Sequence, residues 1–262
     1  MIHPRPLPNI MVAPNGARRT KADHPAIPLT HPELVETAIA CHKAGADGIH
    51  LHIRDEQGLH LLDAAGYAQL LEAVMVAVPD MYLQVTSEAA GRYETAEQIA
   101  IIRALKPDHV SVALREMAPS LEAWPAARDF YHWAAEANVA IQHILYTPKE
   151  VVMFLGALDE GKIPGTHHLL QFVLGDYQGT HISRPDNIQP LLDLLGDSGA
   201  AHTFDWMLCA FGREETDCLT EAVRLGGKVR VGFENSLWNQ DGSLAGDNAE
   251  RVREISRSVQ AL

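Results

Sequence analysis

Short apolar runs rich in β-branched residues alternate along the chain with longer amphipathic segments, the pattern of parallel strands joined by crossover helices. Strands are predicted over residues 9–14, 48–53, 82–86, 109–113, 139–145, 168–174, 203–208 and 228–233. Each is followed by a predicted helix, at 32–44, 64–78, 96–105, 124–137, 149–160, 186–195, 214–225 and 247–259. Local chemistry supports these helices. Thr30-His31-Pro32-Glu33 and Thr147-Pro148-Lys149-Glu150 set a threonine near an N-cap and put proline and glutamate in the first turn. Gly45 and Gly226 stand where helices should stop. Eight strand–helix units predict an α/β fold of the closed (β/α)8 TIM-barrel type. An open doubly wound sheet is the alternative, because strand number alone does not prove closure.

The length of 262 residues fits one barrel domain spanning 1–262, and no linker, low-complexity tract or glycine-rich phosphate fingerprint divides it. Apolar residues make up 47% of the chain, enough for a large core. The net charge of −13 opposes binding to phosphate backbones, so nucleic acid is not an expected partner and the substrate should be small. No stretch approaches the roughly 20 apolar residues that span a bilayer, and the first residues lack the apolar core of a signal peptide. A cytoplasmic location without membrane attachment is expected. Cys41, Cys209 and Cys218 are too few and too far apart for a disulfide framework, and read as reduced structural thiols.

Active sites of parallel barrels lie beyond the C-terminal ends of the strands, so polar residues at those ends carry most weight. Strand two reads Gly48-Ile49-His50-Leu51-His52-Ile53-Arg54-Asp55, and its period of two places His50, His52 and Arg54 on one face. Catalytic zinc usually takes three protein ligands, and strand eight offers the third in Arg230-Val231-Gly232-Phe233-Glu234. Barrel closure brings strands one, two and eight together, so His50, His52 and Glu234 are the expected metal ligands. Mixed nitrogen and oxygen donors favour Zn2+, with another divalent ion as the alternative. A pair of hydrogen-bonded structural histidines is the competing reading of His50 and His52.

Other strand ends supply candidate substrate contacts: Asn15 after strand one, Thr86, Ser87 and Glu88 after strand three, and Ser111 and Arg115 on or after strand four. His143 shares parity with Ile141 and Leu145 and is expected to face inward if those residues line the barrel; a satisfied core histidine is the alternative. Arg18, Arg19 and Lys21 are either phosphate contacts or a solvated basic loop, and the loop is favoured.

Three segments together resemble the β-keto acid cleavage enzyme family. They are Ala13-Pro14-Asn15-Gly16-Ala17-Arg18-Arg19-Thr20-Lys21, His50-Leu51-His52-Ile53-Arg54-Asp55 and Arg230-Val231-Gly232-Phe233-Glu234. The resemblance implies a barrel that is commonly a homotetramer, with zinc on His50, His52 and Glu234 and a catalytic role for Arg230. It also implies that a β-keto acid reacts with acetyl-CoA to give acetoacetate and a new acyl-CoA by Claisen and retro-Claisen chemistry. Two positions depart from the family pattern. Asn235 replaces a carboxylate and cannot act as a comparable base, while His143 aligns without gaps where many members carry a catalytic glutamate. Arg230, His143 and Asn235 therefore form the candidate catalytic set, and Glu88 is a candidate replacement carboxylate. The departures leave two alternatives, a CoA-independent metal-dependent lyase or hydrolase using His143, and a non-catalytic protein that binds small acids.

Overall fold

The computed structural model describes residues 5–196 and 201–262. Its strands, in chain order, are β1 (Ile10–Val12), β2 (Gly48–Leu51), β3 (Ile53–Arg54), β4 (His60–Leu61), β5 (Tyr82–Thr86), β6 (His109–Ala113), β7 (Ala140–Leu145), β8 (His167–Leu174), β9 (Thr203–Ala210) and β10 (Lys228–Val231). All but β3 and β4 close into one parallel barrel in the order β1-β10-β9-β8-β7-β6-β5-β2. Closure rests on β1, which pairs Met11 with Gly48 of β2 and with Arg230 of β10. The expected TIM barrel is thus the observed fold, and the open sheet is excluded.

The helices are α1 (His31–Ala44), α2 (Ala64–Ala77), α3 (Thr95–Leu105), α4 (Leu114–Met117), α5 (Trp124–Glu136), α6 (Pro148–Asp159), α7 (Gln189–Gly196), α8 (Glu215–Arg224) and α9 (Asn248–Gln260). The N-caps expected at Thr30 and Thr147 are observed. The Thr30 hydroxyl accepts from the Glu33 N–H, and the Glu33 carboxylate accepts from the Thr30 N–H at 3.0 Å, a reciprocal capping box for α1. Thr147 caps α6 in the same sense by accepting from the Glu150 N–H. Two helical details depart from expectation. α7 starts at Gln189 because Pro185–Asn187 first forms a tighter 3-10 turn. α4 is a single turn, too short to leave a periodic signature.

Strand parity sorts the barrel into two layers. Ile49, Leu51, Val85, Val110, Val112 and Leu145 pack with the helices in the main apolar core. Inside the barrel, Met11, Tyr82, Leu169 and Met207 form a small apolar plug with Leu7. Above it the interior is polar: His50, Gln84, Gln142 and Arg230 are all buried. The helix-facing layer supplies the hydrophobic stabilisation, which frees the upper interior for chemistry.

The second predicted strand does not run unbroken to Ile53. After Leu51 the chain leaves the barrel, and β3 pairs antiparallel with β4, Ile53 opposite Leu61 and Arg54 opposite His60. Arg54 therefore leaves the barrel face. Its guanidinium donates to the carbonyls of Gly58, at 2.8 Å, and Arg19, at 2.9 Å, and also contacts the Gly16 carbonyl. It holds the loop after β1 instead of facing a substrate.

Candidate metal centre and active site

His50 lies one residue before the end of β2, and His52 follows Leu51 where the chain turns out of the barrel. Their Nε2 atoms lie 3.0 Å apart. Glu234, two residues beyond the left-handed Gly232, sets its Oε2 3.4 Å from His52 Nε2 and 3.8 Å from His50 Nε2. All three side chains are buried, and one ligand atom from each falls within 4.8 Å of the others.

These positions follow from the backbone. Gly232 has φ of 139°, a conformation that side chains disfavour, and a Cβ there would strike the Ala13 carbonyl and the Asn248 amide. The same Asn248 accepts the Phe233 N–H at 2.8 Å and donates to the Pro14 carbonyl at 3.0 Å, so α9 pins the end of β10 against β1. Gly16, at φ of 61°, lets the loop after β1 pass close to Glu234 and Tyr177, which a side chain there would meet.

A hydrogen-bonded chain fixes the His50 ring. His50 Nδ1–H donates to Gln84 Oε1 at 2.8 Å, Gln84 Nε2 donates to Gln142 Oε1 at 2.8 Å, and Gln142 Nε2 donates to the Leu170 carbonyl at 3.1 Å. The terminal carbonyl can only accept, which sets the direction of every bond and leaves His50 Nε2 with a lone pair facing His52. Behind His52, the Asn15 amide donates to the His52 carbonyl at 3.1 Å and to the Pro28 carbonyl at 3.0 Å.

The electrostatics suit a cation. Arg230 Nη2 donates to Glu234 Oε1 at 2.9 Å, leaving Oε2 buried without a partner. Burial pushes the Glu234 carboxyl up, but Arg230 and then His52 outweigh it, so it lies well below the ordinary carboxylate range. Burial, followed by the Arg230 charge, drives His50 well below its ordinary value and keeps it neutral. Two buried imidazoles and a carboxylate whose second oxygen is unpartnered match the donor set of a three-ligand divalent centre.

The cluster lies on a cavity of about 1210 Å3 lined by His50, Glu234, Arg230, Thr86, Glu88, Ser111 and Arg115, with Ile144, Tyr146, Tyr177 and Phe211 among its walls. Ser111 Oγ has no partner, and Thr86 Oγ1 accepts the Glu88 N–H at 3.0 Å. Arg115 lies 3.6 Å from the Tyr146 ring centroid and is paired with Glu150 at 2.6 Å. Besides His52 and His143, three predicted residues do not line this space. Asn15 works behind His52, as described. The Ser87 hydroxyl donates to the Ser111 carbonyl at 2.8 Å, and Asn235 is fully buried with neither amide atom partnered.

His143 is a correction. It does share parity with Ile141 and Leu145, but those residues pack toward the helices. The His143 ring lies 5.3 Å from Tyr131 and 4.8 Å from Phe154, in the layer between β7 and helices α5 and α6. Gln142 takes the inward position in its place. Gln84 and Gln142, which hold His50, were not predicted from the sequence, nor were Tyr146 and Tyr177. The available signal was a glutamine within each apolar run, Tyr82-Leu83-Gln84-Val85 and Ile141-Gln142-His143-Ile144.

A closed parallel barrel with buried His, His and Glu at the C-terminal mouth defines a (β/α)8-barrel enzyme with a candidate metal centre. The chain belongs to the beta-keto acid cleavage enzyme family, whose model matches residues 9–262. It is 27% identical over 254 residues to a 3-oxoadipate:acetyl-CoA acetyltransferase of Cupriavidus necator, covering 94% of this chain and 86% of that protein. It is 26% identical to a 3,5-dioxohexanoate:acetyl-CoA acetone transferase of Paraburkholderia graminis, with coverage of 97% and 90%. A 3-keto-5-aminohexanoate cleavage enzyme of Fusobacterium nucleatum is also 26% identical, with coverage of 94% and 89%.

Among solved structures, the apo structure of ObcA superposes with a TM-score of 0.70 at 14% identity, covering 90% of this chain, which spans 62% of ObcA. A type I 3-dehydroquinate dehydratase of Clostridium difficile gives a TM-score of 0.58 at 12% identity, covering 99% of this chain and 93% of that one. At these identities the likeness carries the barrel fold alone. No helix among the described residues is long and apolar enough to cross a membrane.

Proposed function

We propose that this chain is a divalent-metal-dependent enzyme that cleaves a small β-keto acid with acetyl-CoA as co-substrate, giving acetoacetate and a new acyl-CoA. The observation that carries the reading is the convergence of His50, His52 and Glu234 beside a large cavity that His50 and Glu234 line. Zinc is the ion this donor set favours. Two of the relatives are named as acetyl-CoA-dependent transferases, and their substrate names are those of 3-oxo and 3,5-dioxo acids. We assign the whole chain to one barrel domain that works as a cytoplasmic homo-oligomer, a tetramer by the family pattern.

His50, His52 and Glu234 would hold the ion. When bound, it supplies a Lewis acid against which the oxygens of a β-keto acid are oriented and polarised. Arg230 presents a buried positive charge to the cavity, with Nε free of partners, and is suited to stabilise negative charge that develops on the substrate. Because Thr86 Oγ1 already accepts from Glu88, its own hydrogen is available to a substrate oxygen, as is that of Ser111. Arg115 is held flat on Tyr146 further up the wall and can meet a carboxylate or phosphate at the mouth. The CoA-independent alternative had His143 as its base, and that base lies outside the cavity.

The test is turnover by zinc-supplemented protein of 3-oxoadipate, 3-keto-5-aminohexanoate and 3,5-dioxohexanoate, each with acetyl-CoA, with products followed by mass spectrometry. A new CoA thioester with acetoacetate is expected from at least one acid. Consumption of an acid without acetyl-CoA, or no thioester across the panel, would contradict the reading.

A further inference from the structure

The cavity is lined by four carboxylates among the described residues: Glu88, Glu116, Asp176 and Glu234. Three are committed. Glu234 belongs to the metal cluster and Arg230. Glu116 Oε2 accepts the Ala89 N–H at 3.0 Å and the Gln98 amide at 2.8 Å. Asp176 accepts from the Gln178 and Thr180 N–H groups and from the His181 ring, and thereby shapes the loop after β8.

Glu88 differs. Among the described residues its carboxylate has one ion-pair partner, Arg18, at 3.9 Å, and that arginine side chain is 54% exposed while the glutamate is 23% exposed. A contact so long and so wet contributes little. The backbone beneath it is fixed at both ends: the Glu88 N–H donates to Thr86 Oγ1 at 3.0 Å, and the Glu88 carbonyl accepts from His60 Nε2 at 2.9 Å. The preceding Ser87 is tied to the Ser111 carbonyl, and its own carbonyl accepts from the Gln98 amide. A rigid backbone thus presents a carboxylate with no structural duty to the same cavity as His50, Arg230 and Glu234.

We propose that Glu88 is the general base of this site, the residue that takes a proton from the carbon between the keto and carboxyl groups of the bound acid. The inference rests on the β-keto acid reading above. In the step, the C–H bond breaks, its electron pair becomes the enolate of the keto group, and the proton is carried on the Glu88 carboxyl; return of that proton to carbon reverses it. No other reactant is needed.

Other groups are excluded by position. His50 and His52 face the metal point, His143 lies in the helix layer, and His181 is exposed and bound to Asp176 at 2.7 Å. Tyr146 and Tyr177 line the cavity, but burial pushes both phenols above their ordinary value, which disfavours them as bases. Burial also raises the Glu88 carboxyl, with His52 and Arg18 pulling it down and Glu234 and Glu116 adding to the rise. A carboxylate raised from its ordinary value is a stronger base near neutral pH.

The test follows exchange of the α-hydrogens of acetoacetate in D2O by proton NMR, using zinc-loaded full-length protein without acetyl-CoA. The wild type is expected to exceed the buffer rate, and Glu88→Gln to lose at least about 100-fold of the catalysed rate while Glu88→Asp retains part of it. Zinc content and melting temperature measured in parallel are expected to stay unchanged in both variants. Calorimetry separates a base from a binding group: Glu88→Gln should bind acetoacetate as tightly as the wild type or more so. Exchange by Glu88→Gln within about threefold of wild type overturns the assignment, as does a wild type that catalyses no exchange, or acetoacetate affinity weakened more than about tenfold. Exchange that depends on Glu88 in a protein that transfers no acyl group would sink the transfer reading and leave this one standing.

Discussion

His50 Nδ1 donates to Gln84 Oε1 at 2.8 Å, and this bond decides which nitrogen of the histidine is offered to an ion. Gln84 is oriented in turn by Gln142. Replacing Gln84 with leucine removes the tautomer lock and leaves Gln142 Oε1 without its donor. The expected result is a fall of about 10- to 100-fold in zinc affinity, measured by competition with a chelating dye. Loss of the buried bond should cost about 1–3 kcal/mol of stability. Unchanged affinity in a folded Gln84→Leu protein would show that the glutamine chain does not position the ligand.

Gly232 tests the backbone side of the same centre. Gly232→Ala would force a Cβ toward the Ala13 carbonyl and the Asn248 amide that pins Phe233. A loss of about 2–4 kcal/mol in denaturant unfolding is expected, because the positive φ and the close contact both oppose the new side chain. Zinc affinity should drop as Glu234 is displaced. Wild-type stability in this variant would contradict the role assigned to the glycine.

His143 and His168 make stability depend on acidity. Burial lowers His143 to about 3, and burial with His202 as the next cause lowers His168 to about 4. Both folded values lie below the ordinary 6.5, so the unfolded chain takes up these protons first. Their contribution is complete above about pH 6.5 and is lost as pH falls toward the folded values, by up to about 1.4 kcal/mol per unit for each histidine. His143→Phe fills the same apolar space beside Tyr131 and Phe154 without a titrating group. Its acid limb should be shallower by about one proton in unfolding measurements between pH 7 and 4, with turnover within about threefold of wild type. A hundredfold loss of turnover would restore His143 to the active site.

The barrel was legible because its signals are local. Strand–helix alternation, Thr30 with Glu33, and Thr147 with Glu150 each act within a few residues, and the predicted elements survive with shifts of a few positions. His50, His52 and Glu234 were legible because parity and strand ends place them without detailed packing. Parity failed where it had to be converted into a direction. His143 and Gln142 are adjacent on β7, and only the packing of Ile141 and Leu145 against the helices shows which of the two enters the barrel. Arg54 was misplaced for a related reason: the β3–β4 pairing that takes it out of the barrel depends on His60 and Leu61, residues outside the strand that contains it. Asn15 and Ser87 sit at strand ends as expected, yet spend their polar atoms on backbone carbonyls, a use that spacing does not reveal.

The most direct test of the metal centre is zinc stoichiometry by elemental mass spectrometry on dialysed wild type, His50→Ala and Glu234→Gln, with folding checked by circular dichroism. Near one zinc per wild-type chain and a loss of at least about tenfold in affinity for each variant is the predicted result. Folded variants that retain zinc as tightly as the wild type would place the ion elsewhere and contradict the account.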